Sequence, residues 1–356
     1  MDILKLMQVH GHELVEFHQD PATGLRAIIA VHSTVLGNAL GGTRRWAYAS
    51  TDEAITDVLR LSEGMTYKAA AADLPMGGGK SVIVLDKPGQ QPTEAEGRAM
   101  GRFVEAFRGT YIAAEDVGVS PQFCDWMAME TRHIMGGENV STGGDPSPFT
   151  ARGVFNSMKA CLAHAGMSDF SSLTIGVQGC GATGYKLAKL CREAGAAVMV
   201  TDVHVPSMKR CVEELGCMAV GNDRNLFHEK LDILAPCALG AVLGPETIPH
   251  LRCRIICGTA NNMLVDPVRD GRALQQRGII YSPDFIANAG GLIRLAGLYL
   301  GMTEPQIDAK VAGIERTTAE VLREAATRPS TAEAAIEYAK RRIQRPKAKV
   351  AAATRG

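Results

Sequence analysis

Lys68 closes the run Gly64-Met-Thr-Tyr-Lys68, and twelve positions later Lys80 closes Leu74-Pro-Met-Gly-Gly-Gly-Lys80. The second lysine follows three glycines and precedes the apolar run Ser81 to Leu85, so it stands where a flexible turn feeds a buried strand. Two ammonium groups in one cavity repel each other, and burial disfavours the charged form. One of them should therefore give up its proton more easily. That is the chemistry of a lysine general base beside a lysine anion clamp. Two other readings compete with it. Gly79-Lys80-Ser81 is like the end of a phosphate loop, but that motif needs a glycine where Leu74 stands and runs from strand through loop to helix. The other is a plain glycine turn carrying a solvated lysine, which the loop taken alone leaves open.

A second group of residues with chemical meaning is Gly179-Cys180-Gly181-Ala182-Thr183-Gly184. It follows the strand-like 173–178 and opens a helix through Leu187, Leu190 and Cys191. Asp202 ends the next strand, eighteen residues after Gly184. Strand, helix and downstream acid together make this a dinucleotide fingerprint: the pyrophosphate lies on the helix N-terminus and the carboxylate accepts from the adenosine ribose hydroxyls. An acid there repels a 2′-phosphate, and no arginine follows it at once, so NAD is expected over NADP. A methyltransferase on a related fold is the competitor. It would leave the lysines and the later asparagines without a use.

These groups need elements to hold them. Residues 25–36 are rich in β-branched side chains and read as a strand. Behind the start signal Ser50-Thr51-Asp52, the apolar Ile55, Val58, Leu59 and Leu61 predict a helix over 52–63 that delivers Lys68. Another helix is expected over 92–107, then a strand at 111–114 leading into the turn Glu115-Asp116-Val117-Gly118. The strongest turn cluster, Thr142 to Pro148, is a plausible domain boundary. Beyond it, strands at 173–178, 197–201, 231–234 and 255–256 alternate with helices, the pattern of a parallel sheet. A last helical stretch, 309–345, is long enough to run back onto the first half. The fold class expected is α/β in two domains separated by a cleft: 1–148, with a C-terminal helix at about 325–350 packing back, and a doubly wound Rossmann-type domain at 149–324.

Bulk properties narrow the function. A chain of 356 residues exceeds the size at which one core usually keeps growing. With 38 basic and 38 acidic side chains its formal charge is zero, so neither nucleic acid nor an anionic membrane is the expected partner. The basic tail from Lys340 through Arg345, Lys347 and Lys349 reads as a solvated, frayed terminus. Nine cysteines show no zinc-type pairing, Cys253 and Cys257 reading as buried strand residues; no metal is expected, and reduced thiols suit a cytoplasm. No secretion signal or membrane span is evident.

Taken in order, several separate motifs resemble the glutamate, leucine, phenylalanine and valine dehydrogenase superfamily over nearly the whole length. They are Leu40-Gly-Gly-Thr-Arg44, the two lysine runs, Glu115 to Gly118, Ser147-Pro-Phe-Thr150, the glycine fingerprint, Gly258-Thr-Ala-Asn-Asn262 and Asn288-Ala-Gly-Gly291. The resemblance implies reversible NAD-dependent oxidative deamination of an L-amino acid to a 2-oxo acid and ammonia, by a homo-oligomer whose cleft closes during turnover. On it, Lys68 binds the substrate carboxylate with the backbone of Gly41 and Gly42 and with Asn262. Lys80 is the base acting through water, and Asp116 exchanges protons with the amino group. Lys68 should stay charged and Lys80 should titrate. Thr150 contacts the nicotinamide carboxamide, with Ser147, Asn261 and Asn288 close by. The physical requirements agree. Water attack on an iminium needs a base titrating near neutrality, and a lysine can serve only if burial or a cationic neighbour lowers its pKa. The plainer readings are that Asp116 caps a turn and that Ser147 and Thr150 cap a helix.

Glutamate enzymes of this superfamily carry a lysine where Leu40 stands and a hydroxyl residue where Leu295 stands. Both replacements remove partners of a distal carboxylate, whose unpaired burial costs several kcal/mol, so glutamate is not the expected substrate. The side-chain lining expected is Leu40, Met65, Ala114, Leu292 and Leu295, all apolar. Resemblance to the phenylalanine enzymes of actinomycete type, through chain length and Leu295, favours phenylalanine, with leucine or valine second. The non-enzymatic alternative is an NAD sensor on the same fold, which would need neither Lys80 nor Asp116.

Overall fold

A computed structural model describes residues 1–139, 144–221, 226–238 and 240–344. The strands separate into two sheets. The first takes β1 (Leu14–Asp20), β2 (Leu25–Ser33), β3 (Ala39–Trp46), β4 (Gly77–Val84) and β5 (Tyr111–Glu115), in the order β1-β2-β4-β3-β5. β2 runs antiparallel to β1 and β4, whereas β3 runs parallel to β4 and β5. Helices α1 (Ile3–His10), α2 (Thr51–Ala71), α3 (Glu94–Ala106) and α4 (Pro121–Ala128) accompany it.

The second sheet holds β6 (Thr174–Gln178), β7 (Ala197–Thr201), β8 (Met218–Ala219), β9 (Leu231–Pro236), β10 (Cys253–Ile256) and β11 (Ile280–Tyr281), ordered β11-β10-β9-β6-β7-β8. All its pairings are parallel. From β6 the chain winds outward to β8, then returns to the other side of β6 as β9. That reversal opens a crevice at the carboxyl ends of β6 and β9, where doubly wound sheets take their ligands. The helices are α5 (Ser147–His164), α6 (Ala182–Glu193), α7 (Val205–Leu215), α8 (Pro267–Gln276), α9 (Asp284–Ala287), α10 (Gly290–Tyr299), α11 (Glu304–Ala325) and α12 (Thr331–Gln344).

Three local expectations need correction. The glycines before Lys80 are no turn: they are the opening residues of β4, buried throughout. A Cβ on Gly77 would lie 2.0 Å from the Ser33 carbonyl oxygen, one on Gly78 2.1 Å from the Thr66 backbone nitrogen, and one on Gly79 2.7 Å from the Tyr111 ring. Their use is close approach. By letting α2 settle on β4, they bring the helix of Lys68 over the strand of Lys80. Helix α2 also outruns its expected end. Ser50 caps it by accepting from the Glu53 N–H (3.1 Å), and its buried face continues past Val58 and Leu59 to Ser62, Thr66 and Ala69. Lys68 therefore lies inside its last turn rather than after it. The long C-terminal stretch is two helices, because Pro329 excludes helical backbone at Arg328 and Ser330 starts α12 by accepting from the Glu333 N–H.

Helix α12 packs on α2. Arg342 pairs with Asp73 just beyond α2, and the Lys310 ammonium donates to the Asp73 carbonyl at 2.7 Å. The basic residues Arg345, Lys347 and Lys349 lie outside the described residues, as do 142 and 143 of the central turn cluster. All nine cysteines are free. Among the described residues no helix is long and apolar enough to cross a membrane, and no His, Cys, Asp and Glu cluster is placed to hold a metal ion.

One buried group gives the first sheet an acid-sensitive joint. His12 donates through Nε2 to the Leu59 carbonyl (3.1 Å) and contacts Ser62 Oγ (2.8 Å), while its Nδ1 is buried without a partner. Burial, then the neighbouring His32, lowers its pKa to about 4. The unfolded chain binds this proton near pH 6.5 and the folded chain only near 4, so stability is full above 6.5 and falls as pH drops toward 4. The expected slope from this one group is at most about 1.4 kcal/mol per pH unit. Thermal melts of wild type and His12→Gln from pH 7 to 4 check it: the variant should lose less stability across that range.

Candidate active site

Three neighbouring parallel strands, β4, β3 and β5, supply the chemical centre. Lys80 points from β4, its side chain 6 % exposed, and its Nζ donates to Asp116 Oδ2 at 2.5 Å. Asp116 follows β5, on the far side of β3, so the contact must cross that strand. The paired glycines of β3 make the crossing possible. A Cβ on Gly42 would sit 2.8 Å from the Asp116 Cβ, and one on Gly41 1.7 Å from the Gly79 carbonyl oxygen. The Gly41 carbonyl also accepts from the Tyr111 hydroxyl at 2.7 Å. Arg44, two residues on along β3, donates from Nε to the same Asp116 Oδ2 at 3.1 Å.

Burial lowers the pKa of Lys80; Asp116 pulls it back up, and Arg44 presses it down again. For Asp116, burial works against ionisation, but Lys80 and then Arg44 outweigh it and hold the carboxyl below its usual range. Lys68 keeps some solvent contact, yet enough protein surrounds its ammonium that burial lowers its pKa to about 8, with Asp284 opposing and Lys80 adding to the shift. Both lysines are thus perturbed: they repel each other, and Arg44 also presses on Lys80.

Lys68 reaches across to the second sheet's residues, donating to Asn261 Oδ1 at 3.4 Å. Asn288 Nδ2 donates to that oxygen at 2.8 Å and to the carbonyls of Thr259 and Ala260, both at 3.2 Å. Asn262 follows with φ +50°, a left-handed backbone that asparagine tolerates better than most residues. The Asp284 carboxylate accepts from the N–H of Phe285 (2.8 Å) and Met263 (3.3 Å), and burial raises its pKa. A cleft of about 820 Å³ has Arg44 and Asp116 on one wall and Asn261 and Asn262 on the other. A second cavity of about 310 Å³ is lined by Lys68, Thr150, Thr183, Asn261, Asn288 and Leu292. The five residues expected to line the side-chain pocket meet in one apolar cluster, with Leu40, Ala114 and Leu292 buried and Met65 and Leu295 packed against them.

The glycine loop fits a dinucleotide. Gly179 has φ +99°, and a Cβ on Gly184 would lie 1.9 Å from the Gly179 carbonyl oxygen. Gly181 has open space where a side chain would stand, and no side chain caps α6, so its first N–H groups point to a free anion seat. Asp202 is held at the loop edge by accepting from the Cys180 N–H (2.5 Å) and the His204 N–H (2.7 Å). The Thr183 hydroxyl lies 3.1 Å from that of Thr259. Asn288 Oδ1 is buried without a partner, an acceptor that a carboxamide N–H would satisfy. Neither Ser147 nor Thr150 caps α5: the Asp145 carboxylate accepts from the Ser147 N–H (2.9 Å), Thr150 Oγ1 donates back to the Pro146 carbonyl (3.3 Å), and Ser147 Oγ accepts from Lys186 Nζ (2.7 Å). Ser147 is therefore turned to Lys186 rather than to the cavity lined by Thr150.

Four residues of the centre escaped sequence reasoning: Arg44, Asp57, Tyr48 and Asp284. Arg44 had a signal, since alternation along a strand puts it on the face of Gly42. Asp57 had one too, lying eleven residues, or about three helical turns, before Lys68 on α2. Tyr48 and Asp284 had none that spacing could supply.

The family model described as Glu/Leu/Phe/Val dehydrogenase, dimerisation domain, matches residues 10–133, and that for Glutamate/Leucine/Phenylalanine/Valine dehydrogenase matches residues 203–297. The chain is 44% identical to a leucine dehydrogenase of Thermoactinomyces intermedius over 316 residues, 88% of this chain and 86% of that one. It is 40% identical to a phenylalanine dehydrogenase of Lysinibacillus sphaericus over 344 residues, 95% of this chain and 89% of that one. Among solved structures it resembles L-tryptophan dehydrogenase from Nostoc punctiforme, with TM-score 0.83, 34% identity and 96% and 98% of the two chains covered.

Proposed function

The chain belongs to the Glu/Leu/Phe/Val dehydrogenase family, and from that premise we propose that it deaminates an apolar L-amino acid reversibly to the 2-oxo acid and ammonia. It is an amino-acid dehydrogenase of a family that is NAD(H)-dependent, and its cofactor is NAD. The observation that carries the reading is the Lys80 to Asp116 contact at 2.5 Å in a cleft that Lys68 bridges to Asn261.

Bound NAD would accept the hydride released from the substrate α-carbon. The loop 179–184 would hold its pyrophosphate, Asp202 the adenosine ribose, and Thr150, Asn261 and Asn288 the nicotinamide end, with Ser147 beside them. The chain's own groups do the rest. Lys68, with Asn262 and the backbone of Gly41 and Gly42, holds the substrate carboxylate and so fixes the α-carbon over the cleft. Asp116 takes a proton from the amino group and returns one to it on departure. Lys80, its pKa lowered by burial, removes a proton from the water that adds to the α-carbon. We further propose residues 1–148 and 149–324 as the two bodies that close on substrate, excluding water and strengthening every charge interaction between them. The match to a dimerisation domain supports a homo-oligomer, and nine free thiols suit a reducing cytoplasm.

Within the apolar class, phenylalanine is the substrate that Leu295 favours. Leucine is the second reading, because the leucine dehydrogenases are as near in sequence, at 44% against 40%. NADH oxidation with ammonia and a panel of 2-oxo acids decides. Phenylpyruvate or 4-methyl-2-oxopentanoate should exceed 2-oxoglutarate by about a hundredfold or more in kcat/KM, since the cluster around Leu40 and Leu295 gives a distal carboxylate no partner. Preference for the branched acid would replace phenylalanine by leucine. No turnover with any member of the panel would defeat the enzymatic reading.

A further inference from the structure

Arg44 has no part in the reaction as described above, yet it touches the same carboxylate oxygen as Lys80. Its Nε donates to Asp116 Oδ2 at 3.1 Å and its Nη1 to Asp57 Oδ2 at 2.9 Å, where the Tyr48 hydroxyl also donates at 2.8 Å. These are not solvated surface pairs, since Arg44 is 23% exposed, Asp57 14% and Asp116 21%. Three separate segments meet there: β3 brings Arg44, α2 brings Asp57, and the turn after β5 brings Asp116. A guanidinium fixed by two carboxylates has its charge balanced locally. It is therefore a poor second clamp for a substrate anion, a task that Lys68 can perform with a single oxygen partner at 3.4 Å.

Resting on the function proposed above, the geometry points to Arg44 as a positioning residue: seated on Asp57, it holds the Asp116 carboxylate against Lys80 and biases that pair toward a neutral lysine beside a charged aspartate. The charge count gives the direction of the Arg44 contribution. With Lys80 protonated, Arg44, Lys80, Asp57 and Asp116 sum to zero. Without Arg44 the same cluster is left with net negative charge and Lys80 clings to its proton; without Asp57 it is left positive and Lys80 sheds it. The shifts agree in sign, for Arg44 lowers and Asp57 raises the Lys80 pKa, although burial is the largest influence. Of the other charged groups on α2, Asp52, Glu53 and Arg60 line the cleft but are exposed, whereas Lys68 is coupled to Lys80, a repulsion common to wild type and both variants. Arg60 approaches only the outer Asp57 oxygen, at 3.6 Å and 62% exposed.

The test uses cofactor-free protein carrying lysine labelled with carbon-13 at Cε, with the Lys80 resonance assigned by its loss in Lys80→Arg. Arg44→Gln should move the Lys80 titration midpoint up by about one pH unit, and Asp57→Asn should move it down by a comparable amount. Arg44→Lys, which keeps the charge and loses the two-pronged seat, should leave the midpoint near wild type while lowering kcat about tenfold. In turnover, the acidic limb of the kcat profile for deamination should follow the same two opposite displacements. Midpoints that stay fixed, or that move the same way in both variants, overturn the inference. So does Arg44→Gln raising KM for the amino acid with kcat and the limb unchanged, which would make Arg44 a substrate clamp. A wild-type protein without dehydrogenase turnover would defeat the functional reading instead, and the resonance midpoints would still decide whether Arg44 controls the Lys80 proton.

Discussion

Replacing Lys80 by alanine is expected to lower kcat for oxidative deamination by about 10²–10⁴-fold, the range over which a positioned acid or base acts, with KM for the amino acid changed only a few-fold. Water adding to the α-carbon must lose a proton as it adds, and Lys80 is the buried amine of the centre. Lys80→Arg should be as inactive, because a guanidinium stays protonated at every working pH. The pH profile separates this from a packing defect. Wild-type kcat should rise with pH as Lys80 loses its proton, its pKa having been lowered chiefly by burial, and the variant's residual rate should lose that limb. Added methylamine should restore part of the rate by entering the space that Nζ occupied. Steady-state kinetics across pH, with and without amine, is the measurement. A Lys80→Ala enzyme with unchanged kcat would remove the base from the mechanism.

The second large effect falls on affinity. Lys68→Ala should raise KM for the amino acid by about 10²–10³-fold, corresponding to about 3–4 kcal/mol for a charged group left unpaired, while kcat at saturation falls about tenfold or less. The wild-type pH dependence carries a distinct sign. Burial has lowered Lys68 to about pH 8, so its protonated fraction, and with it carboxylate affinity, declines as pH rises through that value. KM should therefore climb above pH 8, and the bound carboxylate should delay the climb by stabilising the ammonium. Lys68→Ala should lose this pH dependence altogether. Lys68→Arg should keep a flat KM to higher pH, at the cost of poorer fit. If Lys68→Ala instead abolished kcat and Lys80→Ala raised KM, the two roles would have to be exchanged.

Much of this centre was legible in the chain because its signals are local. The dinucleotide loop needs a strand, three glycines, a helix and an acid within thirty residues, and backbone sterics at Gly179 and Gly184 demand that pattern whatever surrounds it. The parallel sheet followed from alternation of short apolar runs with helices, whereas the meeting of Leu40 and Leu295 in one apolar cluster was expected from the family resemblance and not from a local signal. The misreadings were local too. Gly77, Gly78 and Gly79 look like a turn because glycine is common in turns; here they are buried strand, and what removes their side chains is the backbone of Ser33 and Thr66 and the ring of Tyr111. None of those neighbours is visible from the glycines themselves.

The sequence by itself determined which chemistries were on offer: two lysines with reason to be buried, an acid after a strand and a nucleotide loop. Only the tertiary structure decided how they meet. That Asp116 reaches Lys80 across β3 depends on the gap left by Gly41 and Gly42, and that Arg44 presses on Lys80 depends on the side-by-side order of β4, β3 and β5. The physical reason is range. Backbone preferences and turn chemistry act between residues a few positions apart, so they are written in the chain. Charge coupling and desolvation act through space between β3, β4, β5 and α2, and they exist only once packing has removed the water between them.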